Sequence, residues 1–130
     1  MDINLKKKNG ENISVGYICE SGDGYIRFSN GIQMCYGAKK FIDDELCTDG
    51  RARIVKYPKP MMHKTQYVYI TTNIANLRDS IPSLYVHWST YTTDTTEYPI
   101  DDTTEFVVMS TDEITDSGVY FWYLAIGRWK

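Results

Sequence analysis

The sequence predicts an all-β domain, an antiparallel β-sandwich, on three observations. Aromatic residues make up 14% of the 130 positions, with 11 Tyr and 3 Trp, beside many Thr, a composition that suits pleated, half-buried surfaces better than helices. Short apolar runs alternate with polar positions, and turn formers punctuate them about every ten residues. No segment shows the roughly 3.6-residue period of an amphipathic helix, and no internal repeat is visible. Hydrophobic residues at 42% and charged residues at 24% are enough for a core of one compact unit. Within it, residues 1–40 read as an N-terminal lead-in and β-hairpin, and residues 41–130 as the body of the sandwich.

The elements follow in order. Residues 1–12 are polar and rich in Lys, Asn and Gly, the composition of an exposed lead-in or a linker to something upstream. Ile13 to Cys19 is a short apolar run, and Ser21-Gly22-Asp23-Gly24 is a cluster of turn formers. Tyr25 to Ser29 alternates like a strand, Asn30-Gly31 follows, and Ile32 to Tyr36 is the return strand, closed by Gly37. Asn-Gly between two apolar runs is the strongest short hairpin signal, because a two-residue type I′ turn needs positive φ at both positions. Residues 38–50 form a charged connection that crosses between layers.

Arg51 to Tyr57 alternates charged and apolar positions and stops at Pro58-Lys59-Pro60, which cannot extend a paired strand. After a loop through Met61, Met62 and His63, Gln66 to Ile74 is a β segment. Leu84 to Tyr91 is another, with Leu84, Val86 and Trp88 on one face and Tyr85, His87 and Ser89 on the other. Thr92 to Asp102 reads as a loop, Thr104 to Ser110 as a strand and Asp116-Ser117-Gly118 as a turn.

Val119 to Trp129 closes the chain and carries a second inference. Val119, Phe121, Tyr123 and Ala125 alternate with Tyr120, Trp122, Leu124 and Ile126, so neither face is polar. A strand with one wet face should alternate. The second face therefore calls for cover, from another subunit or from a hairpin or loop of the same chain; a subunit contact is the favoured expectation.

Charge and cysteine usage exclude several classes. The net charge is -3, and the basic residues are scattered apart from Lys6 to Lys8, so no footprint for a phosphate backbone exists and nucleic acid is not expected as a partner. No apolar run approaches the roughly 20 residues of a membrane helix, and no hydrophobic stretch follows the N-terminal lysines as a secretory leader requires. Cys19, Cys35 and Cys47 are odd in number and lack CxxC spacing, which reads as reduced, mostly buried thiols.

Catalytic and metal patterns are lacking. His63 and His87 show no zinc spacing, and Asp43-Asp44-Glu45 and Asp101-Asp102 with Glu105 do not reproduce a calcium loop. Gly22-Asp23-Gly24 precedes a strand, so it is a turn and not a phosphate cradle. There is no Gly-x-Ser-x-Gly elbow, and Asp112 and Glu113, as neighbours on one strand, would face opposite ways. Neither enzyme activity nor a metal or cofactor is expected. Surface recognition remains. An aromatic face suits the C–H side of a sugar ring, and Asp, Asn, Arg or His its hydroxyls. The candidate ligand residues are His63 beside Lys64, Tyr91 beside Thr92 and Thr93, Tyr98, and Asp112, Glu113 and Asp116 before the last strand.

Three segments carry a resemblance. Gly24-Tyr25-Ile26-Arg27-Phe28-Ser29-Asn30-Gly31-Ile32-Gln33-Met34-Cys35-Tyr36-Gly37 resembles the "GYIKFSNGLIIQWG" hairpin that opens the C-terminal domain of many bacteriophage tail fibres. Val55-Lys56-Tyr57-Pro58-Lys59-Pro60-Met61 is similar to their "V-x-F-P-x-P-F" segment. Trp122 to Trp129 is similar to their "WIAIGRW" ending. Matching order and spacing cover residues 24–130. The resemblance implies a sandwich like the H-type lectins, assembled as a homotrimer, with the hairpin near the subunit contacts and loops displayed to a bacterial surface polysaccharide. It further implies a virion protein made in the bacterial cytoplasm and joined to an upstream fibre or tail protein. Two departures stand out. Ser110-Thr111-Asp112-Glu113-Ile114 lacks the Trp of the N-acetylgalactosamine-binding lectins, so their sugar is not carried over, and Cys35-Tyr36 replaces the usual Gln-Trp of the hairpin. The expected function is a receptor-binding tip; the alternatives are a trimerising connector without sugar binding and a free-standing bacterial lectin.

Overall fold

The computed structural model describes residues 2–6, 12–46, 50–62, 67–74, 83–87, 91–92, 97–115 and 118–130, with side chains outside 2–6, 12–15, 73–74 and 91. All its elements are strands, and every pairing is antiparallel. One six-stranded sheet runs β1 (Asp2–Lys6), β2 (Asn12–Gly22), β3 (Tyr25–Phe28), β4 (Ile32–Lys40), β11 (Val119–Arg128) and β6 (Tyr67–Ile74). A three-stranded sheet holds β5 (Ala52–Lys56), β10 (Glu105–Ser110) and β7 (Leu84–His87), and a two-stranded ribbon joins β8 (Tyr91–Thr92) to β9 (Glu97–Tyr98).

Side-chain alternation on these strands makes the core. The inward residues of β4 and β11, Cys35, Phe121, Tyr123 and Ala125, meet Val55 of β5 and Phe106 and Val108 of β10 in one cluster, sealed by Phe41, Tyr57, Met61 and Ile114. Phe106 lies between two rings, 5.7 Å from Tyr57 and 5.3 Å from Tyr123, at the tilted angles that aromatic quadrupoles favour. The two main sheets thus share one core, as in a sandwich. A smaller cluster lies on the other side of the three-stranded sheet, where Tyr98, Ile100, Ile54 and Met109 pack against Ala52 and Val107.

Two buried polar groups are held by networks. Gln33 is fully buried; its Nε2 donates to the Lys59 carbonyl at 2.7 Å, and its Oε1 accepts from Arg27 Nε at 2.8 Å. Arg53 is 3% exposed, donates to Asp43 Oδ2 through Nε at 3.1 Å and through a second guanidinium nitrogen, and reaches the Ile54 carbonyl at 3.0 Å. Asp43 belongs to the charged connection after β4, which does cross from one sheet to the other.

Several sequence expectations are corrected. Asp2–Lys6 is not a free lead-in: it forms β1, paired with β2. The loop at Asn30-Gly31 is not a two-residue turn. The register Arg27↔Gln33 leaves Ser29, Asn30 and Gly31 between the strands, Gly31 N donates to the Phe28 carbonyl at 3.0 Å, and Gly31 sits at φ 94°, the pattern of a three-residue loop with glycine in the left-handed position. The tight two-residue turn is Asp23-Gly24, between the paired Gly22 and Tyr25. Gly37 does not end its strand; β4 runs on to Lys40, paired with β11 throughout. Part of the loop from Thr92 to Asp102 is the β8–β9 ribbon.

Candidate functional site

The three segments singled out in the sequence fold into one packed end of the domain. Arg27 of β3 stacks 5.1 Å from the Trp129 ring, donates to the Pro60 carbonyl at 3.0 Å and pairs with Glu20 at 3.1 Å. Trp129 Nε1 donates to the Phe28 carbonyl at 2.9 Å, and its backbone N to the Gly31 carbonyl at 2.9 Å. The hairpin, the Pro58-Lys59-Pro60 stretch and the chain end are therefore tied by directional bonds in addition to shared core.

The same segments enclose a cleft of about 300 Å³, lined by Asp23, Gly24, the Tyr36–Lys39 stretch, Lys56, Pro58 and Tyr123. Tyr123 forms its inner wall and is 5% exposed. Among the described residues no group pairs with its hydroxyl and no buried polar atom lacks a partner, so that oxygen opens into the cleft. Burial, reinforced by a negative charge on Cys35 and opposed by Arg53, pushes its pKa up to about 12, which keeps it a proton donor at any physiological pH. Lys56 at the rim pairs with Glu45 at 3.4 Å. Burial also pushes the Cys35 thiol up, against hydrogen bonding by the Gln33 side chain and the Lys59 backbone and the charge of Arg27, so Cys35 is a core group. Cys19, by contrast with the expected burial, is exposed, and Cys47 lies outside the described residues.

None of the described residues proposed from sequence lines this cleft. Tyr98 is half-buried on the small cluster outside the three-stranded sheet, and Tyr91 is its cross-strand partner. Asp112 and Glu113 are exposed in the turn after β10, while the next residue, Ile114, is driven into the core. His63 and Asp116, like Lys64 and Thr93, lie outside the described residues. Sequence reasoning missed Asp23, Lys39, Lys56 and Tyr123. Their signal was present in the turn at Asp23-Gly24, the glycine inside β4 and the inward position of Tyr123.

A second surface is the outer face of the six-stranded sheet. Trp122 is 55% exposed, Tyr67 55%, Tyr69 58% and Tyr36 43%. The register sets Leu124 opposite Tyr36 on one side and Tyr69 on the other, so these side chains share one face. Tyr67 and Tyr69 stack at 6.4 Å with planes 15° apart. No family model, curated protein or solved structure matches the chain.

Proposed function

We propose that this chain is a receptor-binding tip of a bacteriophage tail fibre, a lectin-like homotrimer that attaches to a bacterial surface polysaccharide. The observation that carries the reading is the outer face around Trp122, Tyr67, Tyr69 and Tyr36, apolar, contiguous and open to water. Monomeric proteins seldom expose such a surface, and the subunits of a trimer, each turning this face toward the common three-fold axis, would cover it. Charges stand at its ends, Lys40 and Arg128, and leave its middle free for packing. In a trimer each copy presents one binding site, and three weak sites on a rigid body raise avidity far above the affinity of one. The resemblance of the hairpin, the Pro-rich segment and the chain end to tail-fibre tips supplies the biological setting.

Light scattering during size exclusion tests the assembly, with about three chain masses expected. Retention of the assembled protein on bacterial cells tests the receptor role. Intact trimers that no susceptible cell retains would leave a trimerising tail connector in its place.

A further inference from the structure

We propose that the cleft between Asp23, Lys39 and Tyr123 binds an acidic monosaccharide unit, a hexuronate, of the surface glycan. The inference rests on the glycan-binding reading and gives that reading a site and a ligand class. Three features of the cleft carry it.

The first is the space itself. Its volume of about 300 Å³ stands at the lower end of small-molecule sites, near 300–1,000 Å³, and is larger than a bare ion needs. Two glycines keep it open. A Cβ at Gly37 would approach the Tyr123 ring to 3.3 Å, and one at Gly24, held at φ 80°, would meet the Tyr36 carbonyl at 3.1 Å and Pro58 at 3.3 Å.

The second is the Tyr123 hydroxyl. It belongs to a residue 5% exposed, has no protein partner among the described residues, and is directed into the cleft. A hydroxyl that reaches the cleft without a protein partner is a ready donor for a ligand oxygen, because no internal hydrogen bond must break first.

The third is the charge pattern. Lys39 has no ion-pair partner among the described residues, whereas Lys56, at the rim, has its ammonium engaged by Glu45. Lys39 and the Tyr123 hydroxyl offer donors to a carboxylate. Asp23, on the same lining, accepts but does not donate, so it opposes a bare anion and favours a ligand that carries hydroxyls as well as an acid. The Pro58 ring supplies an apolar flank for the C–H side of a pyranose. An acid at one end and hydroxyls at the other is the chemistry of a hexuronate.

The test is a titration of the whole assembled protein with methyl glucuronide and methyl galacturonide, against methyl glucoside, methyl galactoside and inorganic phosphate, read by NMR chemical shifts and calorimetry. Expected is saturable binding of at least one uronide, about tenfold tighter than its neutral counterpart, as one charge-assisted hydrogen bond supplies. Tyr123→Phe should weaken it about tenfold and Lys39→Gln about fivefold, with the fold and the trimer intact by circular dichroism and light scattering. Gly37→Ala should fill the mouth and reduce binding further. Equal binding of neutral and acidic sugars, phosphate binding as tight as the uronide, or uronide binding unaffected by all three variants would each overturn the proposal. Cell retention separates the two readings: a protein that holds to cells yet binds no uronide loses the cleft assignment and keeps the receptor role. A protein that binds uronide in the cleft yet is retained on no cell keeps the site and loses the receptor role.

Discussion

β10 and β11 carry the same message in sequence and receive different treatment in the fold. Phe106 to Met109 and Val119 to Ile126 are both apolar on both faces. In β10 the pattern is resolved within the chain: Phe106 and Val108 enter the main core, and Val107 on the opposite face is covered by Tyr98, Ile100 and their neighbours, so all three are fully buried. In β11 the inward set, Val119, Phe121, Tyr123 and Ala125, is buried just as well, while Trp122 on the other face stands 55% exposed. A strand without a polar face announces two covers. The sequence does not say whether the second cover is internal, and here it is internal once and open once.

Val107→Asp breaks the comparison where the cover is closed. A carboxylate with no partner would sit where Ala52 and Tyr98 now pack, and an unpaired buried charge costs several kcal/mol, comparable with the roughly 5–15 kcal/mol that holds a domain together. The variant should fail to fold at 25 °C by circular dichroism. A folded Val107→Asp with native stability in denaturant would mean that the ribbon of β8 and β9 is no real cover.

The next effect in size concerns Arg53, a charged residue on the face of β5 that carries Val55 into the core. It is buried over Phe121, at 5.7 Å from the ring, and its charge is answered by Asp43, whose side chain keeps 33% of its exposure. Removing the partner of a buried ion costs about 3–5 kcal/mol, and the water that reaches Asp43 lowers this to about 2 kcal/mol for Asp43→Ala. Urea unfolding measures it. A change under about 0.5 kcal/mol would mean that Arg53 finds other acceptors once Asp43 is gone.

Alternation, turn residues and prolines made most of the fold legible: β3, β5 up to Pro58, and β6, β7, β10 and β11 all fall within the segments that the pattern assigns, and β4 begins where assigned but runs on past its assigned end at Tyr36. What it could not reach depends on contacts between distant residues. β1 is only five residues long, lies in a polar stretch, and becomes a strand by pairing with β2. The three-residue loop after Phe28 carries the same Asn-Gly as a two-residue one, and only the register separates them. The site was less legible than the fold. Loop aromatics and acids attracted attention because loops usually recognise ligands, yet the described cleft is made of strand residues and turn backbone, and Tyr123 reads in sequence as one more core aromatic.

Alkaline titration sharpens the description of that residue. Its pKa is raised to about 12 from an ordinary value near 10. An acid whose folded pKa is raised holds its proton longer in the native state than in the unfolded one. The stabilisation is therefore complete below about pH 10 and drains away as pH rises from about 10 to about 12. Absorbance of tyrosinate should show a component that ionises near pH 12, and Tyr123→Phe should remove that component. Ionisation of all tyrosines near pH 10 in the native state would mean that the cleft admits water freely enough to cancel the burial.

The smallest effect on stability is the most informative about the open face. Trp122→Lys places a cation where the side chain already meets water, so a monomer should change by no more than about 0.5 kcal/mol. The assembly should respond otherwise. If the face around Trp122 is turned toward the subunit contact, each chain contributes one Lys, and the new charges are brought together out of water, which costs several kcal/mol per contact and returns the protein to single chains. Light scattering of the variant beside the parent reads the loss directly, and the unchanged unfolding midpoint of the separated chain shows that the fold itself is intact. An oligomer that survives Trp122→Lys would place the subunit contact elsewhere. β11 would then differ from β10 only in having a face that water, and not another protein surface, covers.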